Sequence, residues 1–141
     1  MIHIRQAVME EIIDIVQNGY PNECCGIFGG DPVQNKVEQI VPAENLNKER
    51  SRDRYLMNPK DIVRAQKKFT GEGQDELGYY HSHPDHPAKP SETDRVNAWS
   101  GYSYVIVSVM NGKVADAKSW VLNEKTQQFE EEKIEVIKGD S

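Results

Sequence analysis

The feature that most constrains this chain is a pair of histidines, His81 and His83, at the end of an apolar run that begins near Leu77. If the run is a strand, its period of two directs both imidazoles to the same face. Their Cα atoms would then lie about 6.6 to 7 Å apart. Two side chains can close that span onto one ion through bonds of about 2.0 to 2.1 Å. A strand that ends in a metal site is therefore predicted.

The residues after the histidines predict a stiff turn that leads back to this site. Pro84 ends the strand, because proline has no N–H to continue a ladder, and Pro87 and Pro90 stiffen the following loop. The pattern Ser91-x-x-Asp94 is typical of a helix start, where the hydroxyl caps the first N–H groups and an acidic residue is favoured. Asp94 is thereby brought back toward the histidines.

His81, His83 and Asp94 together make a candidate ligand set for one metal ion. Two imidazoles and one carboxylate leave a fourth tetrahedral position for water, which is typical of catalytic zinc, and such a water can become a nucleophile near neutral pH. Taken singly, H-x-H and S-x-x-D have ordinary structural meanings in strands and helix caps. The same ligand types also form the facial triad of Fe(II) oxygenases, so that class stays open.

The amino-acid sequence of these segments resembles a known motif. HSHP at residues 81–84, six further residues, and S-x-x-D at residues 91–94 resemble the JAMM motif of the MPN-domain metalloproteases, also called the Mov34/PAD-1 family. The family's remaining element is an upstream glutamate followed by x-C-G, and residues 23–30, ECCGIFGG, fit it. The resemblance covers nearly the whole chain. It is greatest to the small bacterial members that act on ubiquitin-like sulfur-carrier proteins.

The resemblance implies a role for each residue of the motif. His81, His83 and Asp94 hold one Zn²⁺ per chain, Glu23 is the general base and acid, and Ser91 donates a hydrogen bond to the oxyanion of the tetrahedral intermediate. From chemistry alone, a carboxylate near the metal is the usual proton acceptor. The implied activity is that of a zinc metallopeptidase or isopeptidase. The resemblance implies that the enzyme hydrolyses the amide bond after the C-terminal Gly-Gly of a small ubiquitin-like sulfur carrier.

Other interpretations of the same residues stay open. A general zinc peptidase, a RadC-like protein or a phage-tail peptidase has a similar motif, whereas a non-catalytic MPN scaffold typically lacks the ligands that this chain retains. Cys25 fills the x-C-G position but is interpreted as a small buried residue. His86 and the polar segment 43–54 are interpreted as exposed, with substrate contact as the alternative.

Composition limits the class of protein. A length of 141 residues predicts one domain, residues 1–141, with a loose tail over 138–141. The net charge of −6 argues against nucleic-acid binding, which needs clustered cations. No apolar run has the length of a membrane span or of a signal peptide. Because a bond between the adjacent Cys24 and Cys25 would stabilise little, a reducing cytoplasm is expected. Nothing indicates an oligomeric state.

The periodicity of apolar residues predicts an α/β or α+β fold. Helices are predicted near residues 5–18, 58–71 and 91–100, and strands near 24–28, 33–41, 54–57, 77–83, 104–110 and 113–122, with a last strand or strand pair over 128–137. Asn111-Gly112 predicts a hairpin. A mixed sheet flanked by helices follows. The resemblance implies the same architecture, a curved sheet in the MPN/JAMM fold that is similar in outline to the cytidine-deaminase fold. The deaminase signature H-x-E with P-C-x-x-C is absent.

Overall fold

Strand β4 (Asp75–Pro84), which carries the two histidines, lies in the middle of an eight-stranded mixed sheet. The computed structural model describes residues 1–138. Its other elements are β1 (Ile2–Arg5), α1 (Gln6–Gly19), β2 (Cys25–Asp31), β3 (Lys36–Ala43), α2 (Pro59–Gly71), α3 (Glu92–Val96), β5 (Ser103–Met110), β6 (Lys113–Leu122), β7 (Phe129–Glu132) and β8 (Ile134–Ile137). The strand order is β7-β6-β5-β4-β2-β3-β1-β8.

The sheet contains both parallel and antiparallel pairs. The pairs β1–β3, β1–β8 and β4–β5 are parallel, and the other neighbours are antiparallel. The predicted hairpin at Asn111-Gly112 is confirmed, since β5 and β6 pair antiparallel on either side of it. Strand β4 therefore has an antiparallel neighbour, β2, on one side and a parallel neighbour, β5, on the other. This arrangement agrees with the predicted mixed sheet with helices.

Alternation along the strands divides the buried side chains between two faces of the sheet. Helix α1 packs against one face, which includes Phe28 and Tyr80, and α2 packs against the other, which includes Ile27 and Tyr79. Successive residues of a strand point to opposite faces. The two histidines of β4 therefore lie on the face that α2 covers, the same face as Tyr79.

The sheet curls until its two edges nearly meet. Strands β7 and β8 lie at opposite edges, yet Lys133 alone separates them along the chain. The N–H of Ile2 donates to the Lys133 carbonyl at 2.9 Å. The hydroxyls of Ser103 and Ser119 both donate to Glu132 Oε1, at 2.7 and 2.8 Å. The serine bonds hold β7 against β5 and β6, and the short link at Lys133 brings the two edges of the curved sheet close together.

The structure differs from the sequence-based elements in three places. The strand predicted at 54–57 is wrong, because that segment makes only an isolated bridge between Asn45 and Met57. The predicted helix 91–100 ends at Val96. There, Asn97 Nδ2 donates a hydrogen bond to the Thr93 carbonyl oxygen at 3.0 Å. Strand β1 was missed, although its isoleucines alternate with polar residues and are buried. The segment 128–137, predicted as one strand or a strand pair, is the pair β7 and β8.

Two remaining predictions concern the termini and membranes. The predicted loose tail 138–141 lies outside the described residues from position 139 onward. Within residues 1–138, no helix has both the length and the apolar character needed to cross a membrane.

Candidate active site

The side chains of His81, His83 and Asp94 converge on one point. The two Nε2 atoms lie 3.2 Å apart, and Asp94 Oδ2 lies 3.3 Å from that of His81 and 3.2 Å from that of His83. Bonds of about 2.0 to 2.1 Å to a tetrahedral ion would set ligand atoms about 3.3 to 3.4 Å apart. The three atoms therefore form a triangle of the size that one face of a tetrahedral metal site requires.

The proton positions around His83 also fit a cation. Its Nδ1 lies 2.9 Å from the Pro87 carbonyl oxygen, which only accepts, so Nδ1 carries a hydrogen. In the neutral ring, Nε2 then turns a lone pair toward Asp94 Oδ2, which is also an acceptor when ionised. Two lone pairs at 3.2 Å repel each other unless a proton or a metal ion lies between them. A metal ion would satisfy both atoms and His81 as well.

A capping box places Asp94 at this point. The Ser91 N–H donates to Asp94 Oδ2 at 2.9 Å, and the Asp94 N–H donates to Ser91 Oγ at 3.0 Å. Burial alone would raise the pKa of Asp94, but its interactions with the imidazoles of His81 and His83 and with the Ser91 N–H outweigh burial and hold the pKa well below its usual range. Asp94 is therefore ionised, and its carboxylate orientation is fixed by the start of α3.

Burial keeps His81 in its neutral form. It lowers the pKa of the His81 imidazole, and the opposing hydrogen bond to Asp94 does not reverse this. Metal ions bind neutral imidazoles and ionised carboxylates, so both groups are already in the protonation states that a metal requires.

Glu23 lies beside the two histidines, in the turn between α1 and β2. Its carboxylate and the ring nitrogens of His81 and His83 lie within 4.8 Å of one another, and only 6% of the residue's surface is exposed. Burial raises the pKa of Glu23 to about 7, although the neighbouring His83 opposes the shift. A carboxyl group that titrates near neutral pH can both accept and return a proton.

Cys25 and His86 lie apart from this chemistry. Cys25 is opposite His81 in the β2–β4 ladder, but burial raises the pKa of its thiol to about 12. Because the thiolate is the form that binds metals, this thiol is poorly suited as a ligand at neutral pH. His86 is exposed in the proline loop, where its carbonyl accepts from the Ser108 hydroxyl at 2.6 Å.

A cleft of about 320 Å³ leads to the converging side chains. Its polar part includes Glu23, Ser91, Thr93, Asp94 and Asn97. Its remaining walls are largely apolar and aromatic, with Tyr55, Leu56, Met57, Ile62, Tyr79, Trp99 and Tyr104. Asp53 and Arg54, at the end of the segment 43–54, also line the cleft, so the segment interpreted as a solvated loop reaches the site.

Two residues at the site were not singled out from the sequence. The Tyr55 ring packs on the His81 ring, and the Asn45 amide donates to the Glu23 carbonyl oxygen at 3.2 Å. Asn45 belongs to the polar segment 43–54, and Tyr55 belongs to the segment 54–57, which was predicted as a strand and not as part of the site. The only sequence signal for them was the general tendency of loops to carry binding residues.

Comparison with known sequences matches most of the chain to one family. The family described as prokaryotic homologs of the JAB domain (Prok-JAB) matches residues 5–123. A desampylase of Haloferax volcanii is 38% identical over 89 residues, which span 62% of this chain and 63% of that protein. A "Probable TtuB-protein conjugate cleaving protease" of Thermus thermophilus is 30% identical over 106 residues, 75% of this chain and 69% of that protein.

A more distant relative and two solved structures are also similar to this chain in sequence or fold. A CysO-cysteine peptidase of Mycobacterium tuberculosis is 24% identical over 118 residues, 83% of this chain and 80% of that protein. The solution structure of a Desulfitobacterium hafniense protein has a TM-score of 0.85 and 31% identity, over 99% of this chain and 94% of that one. A JAB1/MPN domain protein of Archaeoglobus fulgidus shares the fold, with a TM-score of 0.63 and 18% identity over 96% of this chain and 97% of that one.

Proposed function

Because the chain belongs to the family of prokaryotic homologs of the JAB domain, we propose that it is a zinc metallopeptidase that cleaves after the C-terminal Gly-Gly of a small ubiquitin-like sulfur-carrier protein. The membership confirms the JAMM/MPN resemblance found in the sequence. The relatives named as peptidases, proteases or desampylases support hydrolysis as the class of reaction.

The observation that carries the proposal is the triangle of His81, His83 and Asp94 with Glu23 beside it. Three ligand atoms spaced by 3.2 to 3.3 Å suit a tetrahedral ion, and no fourth protein ligand is needed. We assign these three residues as ligands of one zinc ion. When bound there, zinc would supply Lewis acidity, which polarises a carbonyl and acidifies water.

We assign proton transfer to Glu23. Its carboxylate lies within 4.8 Å of the histidine nitrogens, close enough to serve a water held among them. Burial raises the pKa of Glu23 to about 7 in the metal-free fold, and a buried carboxylate beside the ligands can take a proton from water and return it to the leaving amine. A carboxyl group with the ordinary acidity of glutamate would be a much weaker base.

We assign the stabilisation of the oxyanion to Ser91. Its oxygen accepts the Asp94 N–H at 3.0 Å, which leaves the hydroxyl hydrogen free to point into the cleft that Ser91 lines. A donor of this kind contributes about 2.7 to 4 kcal/mol to the transition state in other enzymes. Ser91 would therefore serve both as the helix cap and as the oxyanion donor.

The cleft suits a glycine tail. Apolar side chains such as Met57 and Trp99 line its walls, and its volume of about 320 Å³ suits a chain segment with few side chains. Glycines have no Cβ to collide with such walls and can lie extended against a strand edge. Two relatives are named for cleaving conjugates of TtuB and of CysO. We therefore propose a ubiquitin-like carrier as substrate, with cysteine or a short peptide as leaving group.

We also place the protein in the cytoplasm and treat residues 1–141 as one catalytic domain. Cys24 and Cys25 are both free, and as neighbours they would gain little stability from a bond between them. The matched family covers residues 5–123, and β7 and β8 complete the edges of the same sheet.

The test compares three substrates: a ubiquitin-like carrier with an extension after Gly-Gly, the same carrier with Gly-Val, and a free peptide that copies the tail. We expect cleavage after Gly-Gly in the folded carrier to be at least about tenfold faster than in the others. The Gly-Val carrier places a Cβ against the cleft walls, and the free peptide lacks the remote binding energy that lowers the barrier. Mass spectrometry follows the products. Glu23→Gln, with zinc bound, is the control, and its cleavage should be slower by at least about 100-fold.

Equal rates on all three substrates would contradict a dedicated carrier hydrolase and indicate a general peptidase. The absence of any cleavage by the zinc-loaded protein, under conditions where a related peptidase cleaves, would indicate a binding scaffold instead.

A further inference from the structure

Glu23 lies outside any strand ladder, so other contacts must hold its backbone. Its N–H donates to the Ser51 carbonyl at 2.5 Å, and its own carbonyl accepts from Asn45 Nδ2 at 3.2 Å. Both partners belong to residues 44–57, the segment between β3 and α2 that we call the strap. The strap thus holds the peptide groups on both sides of the Glu23 Cα atom.

Asn45 uses every hydrogen-bonding position of its side-chain amide. Its Oδ1 accepts from the N–H groups of Asn47 and Leu56, each at 3.0 Å. Its Nδ2 donates to the carbonyls of Glu23, at 3.2 Å, and Arg54, at 3.1 Å. All four partners are backbone groups that can only donate or only accept, so the orientation of the amide is fixed. An aspartate, with two acceptor oxygens, could not replace it.

Three of these four hydrogen bonds close the strap on itself. They act together with the bridge between Asn45 and Met57 and with the Leu46 N–H, which donates to the Leu56 carbonyl at 2.7 Å. The fourth, to the Glu23 carbonyl, is the one that leaves the strap and reaches the site. The hydrogen bond to the Glu23 carbonyl is not needed to close the strap.

The residue after Glu23 is held from the other side. The Cys24 N–H donates to Ser82 Oγ at 2.8 Å, and the Ser82 N–H donates to the Cys24 carbonyl at 2.9 Å. Ser82 lies between the two histidines on β4, so these bonds tie Glu23 to the strand that carries the ligands. On the strap side, the corresponding link is Asn45. A displacement of about 1 Å in a catalytic group can cost about 100-fold in rate.

We propose that Asn45 is a positioning residue for Glu23. It closes the strap and clamps the Glu23 peptide, so that the carboxylate stays beside the histidines. Asn45 does not touch the reacting atoms and acts only through Glu23. The proposal rests on the proposed acid–base role of Glu23.

The test measures Asn45→Ala and Asn45→Ser in the full-length, zinc-loaded protein. The serine variant keeps an oxygen that can accept within the strap but lacks the amide nitrogen that reaches Glu23. We expect kcat to fall about tenfold or more in both, with KM within about twofold and zinc content unchanged. Hydrogen exchange at the Glu23 amide should be faster, since the bond to Ser51 depends on a closed strap.

Asn123→Ala is the matched control. Asn123 also organises a loop, between β6 and β7, where its Oδ1 accepts from the N–H groups of Lys125 and Thr126. This variant loses comparable hydrogen bonds without a contact to Glu23. Its kcat and its Glu23 amide exchange should equal those of the wild type. A matching loss of kcat in this control would mean that lost stability, rather than positioning, explains the effect of Asn45.

A double-mutant cycle with Glu23→Gln separates this proposal from the proposed function. If Asn45 acts through Glu23, adding Asn45→Ala to Glu23→Gln changes kcat by less than about twofold. Undiminished turnover of Glu23→Gln alone would overturn the role of Glu23 itself. If Glu23→Gln is inactive while both Asn45 variants keep full kcat, the function stands and the positioning role is wrong. If Asn45→Ala does not fold, Asn45→Ser decides the question by the same measurements.

Discussion

The ring of Tyr55 lies against the ring of His81, with centroids 4.6 Å apart and planes inclined by 27°. This contact compensates for a difference between the two histidines. His83 is oriented by the hydrogen bond from its Nδ1 to the Pro87 carbonyl. The buried Nδ1 of His81 has no hydrogen-bond partner among residues 1–138. Packing against Tyr55 therefore supports the His81 ring where His83 has a hydrogen bond from its Nδ1.

The first prediction follows from this stacking. Tyr55→Ala should weaken zinc binding about tenfold or more, the usual effect of losing an outer contact that orients a metal ligand. Tyr55→Phe keeps the ring and should bind zinc as the wild type does. Competition with a chromophoric chelator measures both affinities. Unchanged zinc affinity in Tyr55→Ala would show that the strand backbone alone orients His81.

The second prediction concerns the metal. The purified protein should contain about one zinc ion per chain, and His81→Ala or Asp94→Ala should lose it after refolding and dialysis. His3→Ala is the control, because His3 lies on β1 and pairs with Glu135 at the far side of the sheet. Elemental analysis gives the zinc content. Stoichiometric zinc in a His81→Ala/His83→Ala variant would rule out the assigned ligand set.

The centre of the site could be predicted from the sequence because its signals are local. His81 and His83 share a face because of the period of the strand alone. The loop with its prolines and the helix cap at Ser91 then bring Asp94 back to them. Each step depends on residues only a few positions apart. The structure places these three side chains together as expected.

The strap could not be predicted because its order comes from contacts between distant parts of the chain. Asn45 is fixed by backbone groups as far apart as Glu23 and Leu56, and no local pattern reports such bonds. The apolar residues at 54–57 predicted a strand, yet the asparagine satisfies the backbone groups that a strand partner would have paired. Tertiary hydrogen bonds therefore decided the conformation there, against the local propensity.

The third prediction uses the raised pKa of Glu23. Burial shifts this pKa from 4.5 to about 7 in the metal-free fold, so the folded protein holds a proton that the unfolded chain releases. The contribution of Glu23 to the free energy of unfolding is fully present below pH 4.5 and is lost as the pH rises through 7. Over this interval the loss amounts to about 3 kcal/mol.

Glu23→Gln removes the titrating group and should remove this loss. In the metal-free protein, we expect the variant to be more stable than the wild type at pH 8 and to approach it at pH 5. Urea unfolding in the presence of a chelator, repeated across this range, measures the difference. Parallel stability curves for the two proteins would show that Glu23 titrates at its ordinary pKa in the fold.

The fourth prediction separates the two roles assigned to Ser91. As a helix cap, its oxygen accepts the Asp94 N–H at 3.0 Å. As the proposed oxyanion donor, it needs its hydroxyl hydrogen. Glycine caps helices almost as well as serine, within a few tenths of a kcal/mol, but has no hydroxyl. The backbone N–H of residue 91, which donates to Asp94 Oδ2, is present in either case.

Ser91→Gly should therefore keep the stability and zinc content of the wild type while kcat falls about 100- to 1,000-fold, the loss typical of one oxyanion donor. Ser91→Thr keeps both the cap and the hydroxyl and should retain most of the activity. Steady-state kinetics on the carrier substrate, with thermal unfolding of each variant, provides the comparison. A Ser91→Gly enzyme with kcat within about threefold of the wild type would leave the cap as the only role of Ser91, and the oxyanion would then need a different donor.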